Sequence, residues 1–168
     1  MTPTSLVPRL VPALMLLAPA CGGAGGEDSP SPEQDACEHM IEGPAQSATA
    51  VADLNADGPD LGEHHMRWDI TLDADGAGGF DGYADLVVAE AGEALLFWSL
   101  DVPIELRDPS GAVITIEATL TDVAACAEVE VGHTFDLGVG TYLMHIGPSA
   151  SDQVSLVVVP SDEHGHEE

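Results

Sequence analysis

Seven histidines are the residues of this sequence whose chemistry is easiest to name. Imidazole is a borderline ligand that suits Zn²⁺, Cu²⁺ or Ni²⁺. None of the seven belongs to a motif with established ligand spacing, such as HExxH. Five of them fall in the part of the chain with the composition of a folded domain, and these are the candidate metal ligands: His39, His64, His65, His133 and His145.

A folded metal site requires that some of these histidines meet. If the two cysteines of the domain pair, His39 is held near the strand that leads to His133. We therefore expect His39 and His133 to converge, with His64 or His65 and His145 as further ligands. The alternative is that each histidine is an ordinary polar or buried side chain, and His145, in mid-strand, can simply donate to a backbone carbonyl.

The last residues, 161–168, form an acidic tail that contains the sequence DEHGHEE with His164 and His166. Such a composition suits either loose capture of metal ions or a solvated chain end.

Two acidic, glycine-rich loops are candidates for Ca²⁺, which prefers oxygen ligands. DLNADGPDLGEH begins like an EF-hand loop, but its twelfth position, which needs a bidentate glutamate, is His64. Because Asp, Asn and Gly dominate turns in general, solvated turns are the favoured interpretation of both loops, and calcium is less expected than zinc or copper. The candidate ligands are Asp53, Asn55, Asp57 and Asp60 in the first loop and Asp73, Asp75, Asp81 and Asp85 in the second.

Catalytic motifs are absent from the sequence, which has no GxSxG, no zincin motif and no glycine-rich phosphate loop. Trp68, Trp98 and Tyr83 are a conceivable sugar-stacking set, but aromatic residues make up only 4% of the chain and Trp98 lies in its most apolar strand. We therefore expect a binding protein and not an enzyme.

The charge balance is strongly acidic, with 30 Asp and Glu residues, 3 Lys and Arg residues and a net charge of −27. Such a surface repels nucleic acid and anionic lipid headgroups, so neither is expected as a direct partner. The acidic surface suits either hydration in a salty medium or cation binding, and charge alone does not separate the two.

The beginning of the chain has the layout of an export signal. Residues 10–20, LVPALMLLAPA, follow a single basic residue, Arg9, and are too short to span a bilayer, which takes about 20 apolar residues. Residues 17–21, LAPAC, resemble the lipobox of bacterial lipoproteins, in which the cysteine becomes the lipid-modified first residue. The alternative is a plain secretory signal, with Cys21 as a remaining thiol.

The lipobox resemblance implies a signal peptide over residues 1–20, lipidation of Cys21 by a membrane anchor such as palmitate, and contact with the membrane through that lipid. Aspartate after the cysteine favours retention at the inner membrane in such proteins, and Gly22 is not aspartate. The resemblance therefore implies an outer-membrane lipoprotein, on the periplasmic face or the cell surface. Residues 21–36, rich in Gly, Pro and acidic residues, are predicted to be a flexible tether.

Lipidation of one of the 3 cysteines leaves Cys37 and Cys126 as an even pair in an oxidising compartment. A disulfide between them is favoured over a thiolate metal site, which needs reduced cysteines. Models of loop entropy credit so long a closure with about 4 kcal/mol.

Residues 37–160 are predicted to form a single all-β domain, a β-sandwich or jelly roll, because short apolar runs alternate with Gly, Pro, Asp and Asn. The predicted strands lie near Ala48–Ala52, His65–Leu72, Ala84–Ala89, Ala94–Leu100, Ile104–Arg107, Ala112–Ile116, Glu128–Val131, Thr134–Leu137, Thr141–Ile146 and Val154–Val159.

Two stretches, DGYADLVVAEAGEALLFWSLDVPIELRDPSGAVI and GTYLMHIGPSASDQVSLVVV, resemble the bacterial pre-peptidase C-terminal domain. The resemblance covers roughly residues 81–159 and implies a β-sandwich that serves as an accessory module beside secreted enzymes. The segment 117–134, which carries Cys126, departs from the family's usual spacing.

The sequence thus predicts a lipid-anchored, extracytoplasmic β-sandwich that binds a divalent transition metal ion through histidines. The alternatives are a metal-free interaction or structural module for a protein or glycan partner, and a sandwich stabilised by calcium. Metal binding through imidazole predicts an affinity that falls at acid pH, whereas a structural module predicts no such coupling.

Overall fold

A computed structural model of the chain describes residues 30–121, 123 and 126–160. Its elements are one helix, α1 (Pro32–Glu42), and the strands β1 (Ala45–Thr49), β2 (Arg67–Thr71), β3 (Asp73–Ala74), β4 (Phe80–Val88), β5 (Gly92–Trp98), β6 (Ile104–Arg107), β7 (Val113–Ile114), β8 (Ala118–Thr121), β9 (Val131–Leu137), β10 (Gly140–Ser149) and β11 (Gln153–Pro160).

The strands form two packed sheets, which confirms the predicted all-β sandwich. The first sheet has six strands in the order β1-β2-β11-β5-β9-β8, and the second has five in the order β3-β4-β10-β6-β7. β1 and β2 are parallel, and the other pairs of named strands are antiparallel.

Alternation along the strands sets which side chains meet between the sheets. In β11, Leu156 and Val158 face the core between the sheets, whereas Val157 and Val159 face outward into a second apolar cluster. That second cluster includes Ala36 and Met40 of α1. Since α1 covers the outer face of the first sheet at this position, β11 is buried on both faces. Its sequence is accordingly a nearly continuous run of apolar residues.

Helix α1 begins inside the segment predicted to be a flexible tether. Ser31 accepts a hydrogen bond from the backbone N–H of Gln34 at 3.3 Å, and the side chain of Gln34 accepts one from the backbone N–H of Ser31 at 3.1 Å. This is a capping box with proline in the first turn, which satisfies two of the helix's free donors. The ordered domain therefore begins before residue 37, and the tether prediction is wrong from Pro32 onward.

The strand predictions hold for most elements, with shifted ends. The predicted strand Glu128–Val131 is wrong, because residues 127–128 form a turn and only Val131 belongs to a strand, β9. The sequence prediction missed two short strands, β3 and β8. β8 is exposed along its whole length, so it lacks the apolar alternation on which the prediction depended.

The predicted disulfide between Cys37 and Cys126 is confirmed. It joins α1 to the loop before β9 across 89 residues, with the Cα atoms 5.5 Å apart. It therefore ties the helix to the sheet at the edge of the second apolar cluster.

Candidate metal centre

Asp35, His39 and His65 bring one ligand atom each to within 4.8 Å of one another. Asp35 and His39 are four residues apart on α1 and so lie on the same face of the helix. His65 comes from the loop before β2 and meets them from the other side. The side chains are 14%, 21% and 31% exposed, so the cluster lies at the rim of the domain within reach of solvent.

The aspartate stands between the two imidazoles. One oxygen of Asp35 lies 3.3 Å from Nε2 of His39, and the other lies 2.9 Å from Nδ1 of His65. The two rings are 5.1 Å apart between centroids. Since a carboxylate can only accept, Nδ1 of His65 donates to Asp35 in this hydrogen bond.

The backbone conformation of His65 is unusual and is held by a hydrogen bond to the sheet. His65 adopts a positive φ of 55°, which is uncommon for a residue other than glycine and costs of order 1 kcal/mol. Its backbone N–H donates to the carbonyl of Val158 on β11 at 3.1 Å, which holds this turn against the sheet. A strained residue that carries a cluster ligand is typical of a functional site.

A hydrogen bond and a close approach of the backbone fix the end of α1. Arg67 on β2 donates from Nη1 to the carbonyl of Met40 at 2.9 Å, which satisfies one of the last carbonyls of the helix. A Cβ at Gly43 would lie 2.6 Å from the carbonyl oxygen of His39 and 2.9 Å from its Nδ1. The chain therefore needs glycine to turn this closely past His39.

The donor set of two imidazole nitrogens and a carboxylate suits a divalent transition metal ion. Tetrahedral ligands at about 2.1 Å from Zn²⁺ lie about 3.4 Å from one another. The contacts of Asp35 with the two imidazoles, at 3.3 and 2.9 Å, are close to that separation, each through a different carboxylate oxygen, and one ligand atom from each of the three residues lies within 4.8 Å of the others. Three protein ligands leave at least one position open in a tetrahedral shell.

The structure brings together two of the five predicted histidines, His39 and His65. Asp35 was missed by the sequence prediction, because it fell in the presumed tether. The signal that would have found it is the spacing of four between Asp35 and His39, which has meaning only once the segment is known to be helical. His64 lies beside the cluster, with its ring centroid 6.5 Å from that of His65, but it is not one of the three converging residues.

The expected convergence of His39 with His133 is not found. His133 pairs with Leu96, which belongs to the core between the sheets, so both face inward. His39 belongs to the helix on the outer face of the same sheet. The disulfide does bring α1 close to the chain before β9, but it cannot decide which face of β9 His133 occupies.

His133 is 8% exposed, and its Nδ1 lies 3.2 Å from the hydroxyl of Thr119. Burial lowers the pKa of His133, and the negative charge of Asp101 opposes that effect. His133 is thus a buried, hydrogen-bonded side chain, in agreement with the alternative that a histidine of this domain is structural and not a metal ligand.

His145 lies on the other sheet, on the outer face of β10. Its ring stacks on Tyr83 with 4.8 Å between the centroids, and its Nε2 is 3.5 Å from a carboxylate oxygen of Asp81. It is therefore remote in the fold from α1 and does not contribute to the cluster.

Neither acidic loop brings three carboxylates together among the described residues. A carboxylate oxygen of Asp53 accepts from the backbone and side chain of Asn55, and one of Asp75 accepts from the backbone of Ala77 and Gly79. These hydrogen bonds lower the pKa of both aspartates. The carboxylates act as turn formers, as the favoured interpretation expected.

Cys21 and the tail with His164 and His166 lie outside the described residues, as do the signal and most of the tether. In the part of the chain that the structure describes, no helix is both long and apolar enough to cross a membrane. Comparison of the sequence with models of known families gives no match, and comparison with curated proteins gives none either. The resemblances to the lipobox and to the pre-peptidase C-terminal domain stay predictions.

Proposed function

We propose that this chain is an exported, lipid-anchored β-sandwich that binds a divalent transition metal ion, Zn²⁺ or Cu²⁺, at Asp35, His39 and His65. The observation that carries the proposal is the convergence of three ligand atoms within 4.8 Å at the solvent-accessible rim of a helix that is tied to the sheet by a disulfide. The role is binding, and no catalytic step is assigned.

The ligands and the surroundings favour a metal ion over a simple hydrogen-bonded cluster. His39 Nε2 and His65 Nδ1 both lie against the Asp35 carboxylate, at 3.3 and 2.9 Å, so a cation among them would contact all three donor groups. The carboxylate offsets one charge of a divalent ion, and the acidic surface as a whole raises the local concentration of cations.

The anchor would keep the site near a membrane. Nine residues lie between Cys21 and the helix cap Ser31, and a fully extended chain over this distance spans at most about 35 Å. A lipid on Cys21 would therefore restrict the metal site to a layer of that order above the bilayer surface. This supports a role in holding or buffering metal at the envelope.

The acidic tail can supply metal to the same site. It begins after Pro160, two residues beyond Val158, whose carbonyl accepts the hydrogen bond from His65. Ions gathered loosely by His164 and His166 would therefore be released close to the cluster. We expect the tail to raise the rate of metal uptake more than the affinity at equilibrium.

Thermal unfolding of the exported chain, stripped with a chelator, tests the proposal. Zn²⁺, Cu²⁺, Ni²⁺ and Ca²⁺ are added separately, and the background is a His164→Ala/His166→Ala variant so that the tail does not contribute. A ligand at a hundredfold excess over its Kd stabilises the folded state by about 2.7 kcal/mol. We expect a transition metal to stabilise near equimolar ratio, and Ca²⁺ to have no comparable effect.

Matched variants identify the ligands. His39→Ala and His65→Ala should abolish the stabilisation, whereas His64→Ala, which removes the neighbouring histidine, should keep it. The proposal is wrong if no transition metal stabilises the chain or if the His39→Ala/His65→Ala double variant still responds. Stabilisation by Ca²⁺ alone, insensitive to the histidine variants, would favour the calcium alternative instead.

A further inference from the structure

The outer face of the five-stranded sheet carries a groove of about 620 Å³, independent of the metal cluster. Its floor is formed by β4, β10 and β6, one wall by residues 54–57, and the other by the turn between β6 and β7. The first wall is attached to β4 by pairing of Val51 with Tyr83 and of Asp60 with Asp85. A cleft of this size is in the range of small-ligand and peptide sites.

The strand register places the floor side chains in two rows that cross the sheet. Side chains directly opposite one another on neighbouring strands are in contact range. The first row is Tyr83, His145 and Glu105, and the second is Asp85, Leu143 and Arg107.

The charges of the groove are not balanced within it. Arg107 is the one Lys or Arg side chain in its described lining, and its Nε donates to Glu105 at 2.8 Å. The carboxylate of Asp108 accepts from Ser110 and Ala112 in the turn. Among the described residues, neither Asp57 nor Asp85 forms an ion pair with an arginine, and the hydrogen bond that Asp85 accepts from the backbone of Gly58 brings no counter-charge.

The electrostatics of Asp85 agree with that imbalance. Burial raises the pKa of Asp85, and the negative charges of Asp57 and Asp60 raise it further. A ligand cation between Asp57 and Asp85 would relieve this repulsion and take the place of the missing counter-charge.

The groove also offers apolar and aromatic surface beside the carboxylates. Leu54 is 53% exposed on one wall, Leu143 lies on the floor, and Pro109 lies on the opposite wall. The ring of Tyr83 is held by its stack on His145. Lysine and arginine side chains match such a surface, because their methylene stems pack on apolar groups while their charged ends reach carboxylates and aromatic rings.

We infer that this groove binds an extended segment of a partner protein that carries lysine or arginine. The basic end of one side chain lies between Asp57 and Asp85, and its stem packs against Leu143 and the wall residue Leu54. The peptide is favoured over a small free amine because each wall of the groove offers apolar surface beside the charged centre, Leu54 on one wall and Pro109 on the other. Successive side chains of an extended segment can contact this apolar surface, whereas a small amine cannot cover it.

A titration with a defined peptide tests this inference. The probe is a fluorescein-labelled, blocked hexapeptide of alternating lysine and alanine, and the full exported chain is titrated into it at 0.15 M salt, with binding followed by anisotropy. Asp57→Asn/Asp85→Asn is expected to weaken binding by about tenfold, since it removes two charge contacts. Tyr83→Leu is expected to weaken it by about threefold.

The control removes the same charge elsewhere. Glu93→Gln/Asp136→Asn changes two exposed carboxylates that are directly opposite each other on the six-stranded sheet. This variant should bind the probe within about twofold of the unmodified chain, because only the general field changes. Equal losses in the two double variants, or no saturable binding at all, would overturn the inference.

A competition arm separates peptide from free amine. Spermidine carries charge comparable to the probe without its backbone, and it should displace the probe only at a concentration tenfold or more above that of unlabelled peptide. Displacement at equal concentration would show that the groove recognises amines alone and would contradict a peptide partner.

Discussion

The outer faces of the two sheets differ in what covers them and in how their functional side chains are positioned. On the six-stranded sheet, α1 covers β11 and β5, and the helix itself supplies Asp35 and His39 to the proposed metal site. On the five-stranded sheet, the floor of the groove is made by the strands alone, through the register of β4, β10 and β6.

Because of this difference, different substitutions should disrupt the two sites. The proposed metal site depends on the docking of a helix of 11 residues, which its cap, the second apolar cluster and the disulfide hold in place. A helix this short is marginal by itself, so its position depends on tertiary contacts. The groove depends on strand pairing in the centre of a sheet, which none of those contacts touches.

Removing the disulfide should give the largest effect and should separate the two faces. Cys37→Ser/Cys126→Ser is expected to lower the free energy of unfolding by about 2–4 kcal/mol, measured by urea denaturation. Metal affinity should fall as well, because α1 is less firmly held. Binding of the lysine–alanine probe at the groove should not change. If both activities fall together, the two faces are not independent in the way described.

Removing the helix cap should act in the same direction with a smaller effect. Ser31→Ala is expected to cost about 1 kcal/mol of stability and to weaken metal binding, since Asp35 lies in the first turns of the helix. Ser31→Asp keeps a capping oxygen and serves as the control, and it should bind metal like the unmodified chain. A loss of affinity in both variants would mean that the cap does not position Asp35.

The pH dependence of stability should test His133, the buried histidine that lies outside the proposed metal site. Burial lowers the pKa of His133 in the folded state, so below the ordinary value of about 6.5 the unfolded chain binds a proton that the folded chain does not. Stability contributed by neutral His133 is therefore lost as the pH falls from about 6.5 toward the lowered folded pKa. Urea midpoints between pH 7 and pH 5 should fall less steeply in His133→Gln than in the unmodified chain. An unchanged slope would show that His133 is not kept neutral by burial.

Removing one charge from the groove should give the smallest change in stability, and unlike the preceding variants it should stabilise the folded chain. The pKa of Asp85 is raised in the folded state, so its ionisation above that pKa opposes folding. Asp85→Asn is therefore expected to raise the melting temperature at pH 7 by a degree or two. The difference should shrink as the pH falls and Asp85 becomes protonated. A destabilised variant at pH 7 would contradict the unbalanced charge assigned to the groove.

The sandwich was predictable from the sequence because strand alternation and turn residues are local signals. Leu96 and Trp98 alternate with Leu95 and Phe97, and the structure places the two pairs in different apolar clusters. The disulfide was predictable from the number of cysteines and the expected compartment. The exposed strand β8 was not, since it carries no apolar alternation.

The cluster of Asp35, His39 and His65 was only half predictable. His39 and His65 were identified by residue type, but their meeting depends on a helix at a position where composition suggested a tether. Ser31, Pro32 and Gln34 contain the signal for that helix, a capping box with proline in the first turn. The disulfide correctly placed His133 near α1 along the chain, but it did not determine the face of β9 on which His133 lies. A shift of one residue along a strand moves a side chain to the opposite face of the sheet.

The most direct test of the proposed metal site is a titration of the ¹⁵N-histidine-labelled chain from Cys21 onward with Zn²⁺, followed through the imidazole resonances. At one equivalent of Zn²⁺, we expect the ring-nitrogen resonances of His39 and His65 to shift as they do on metal binding, while those of His133 and His145 do not move. Shifts confined to the tail histidines, or to His133 and His145, would contradict a metal site at Asp35, His39 and His65.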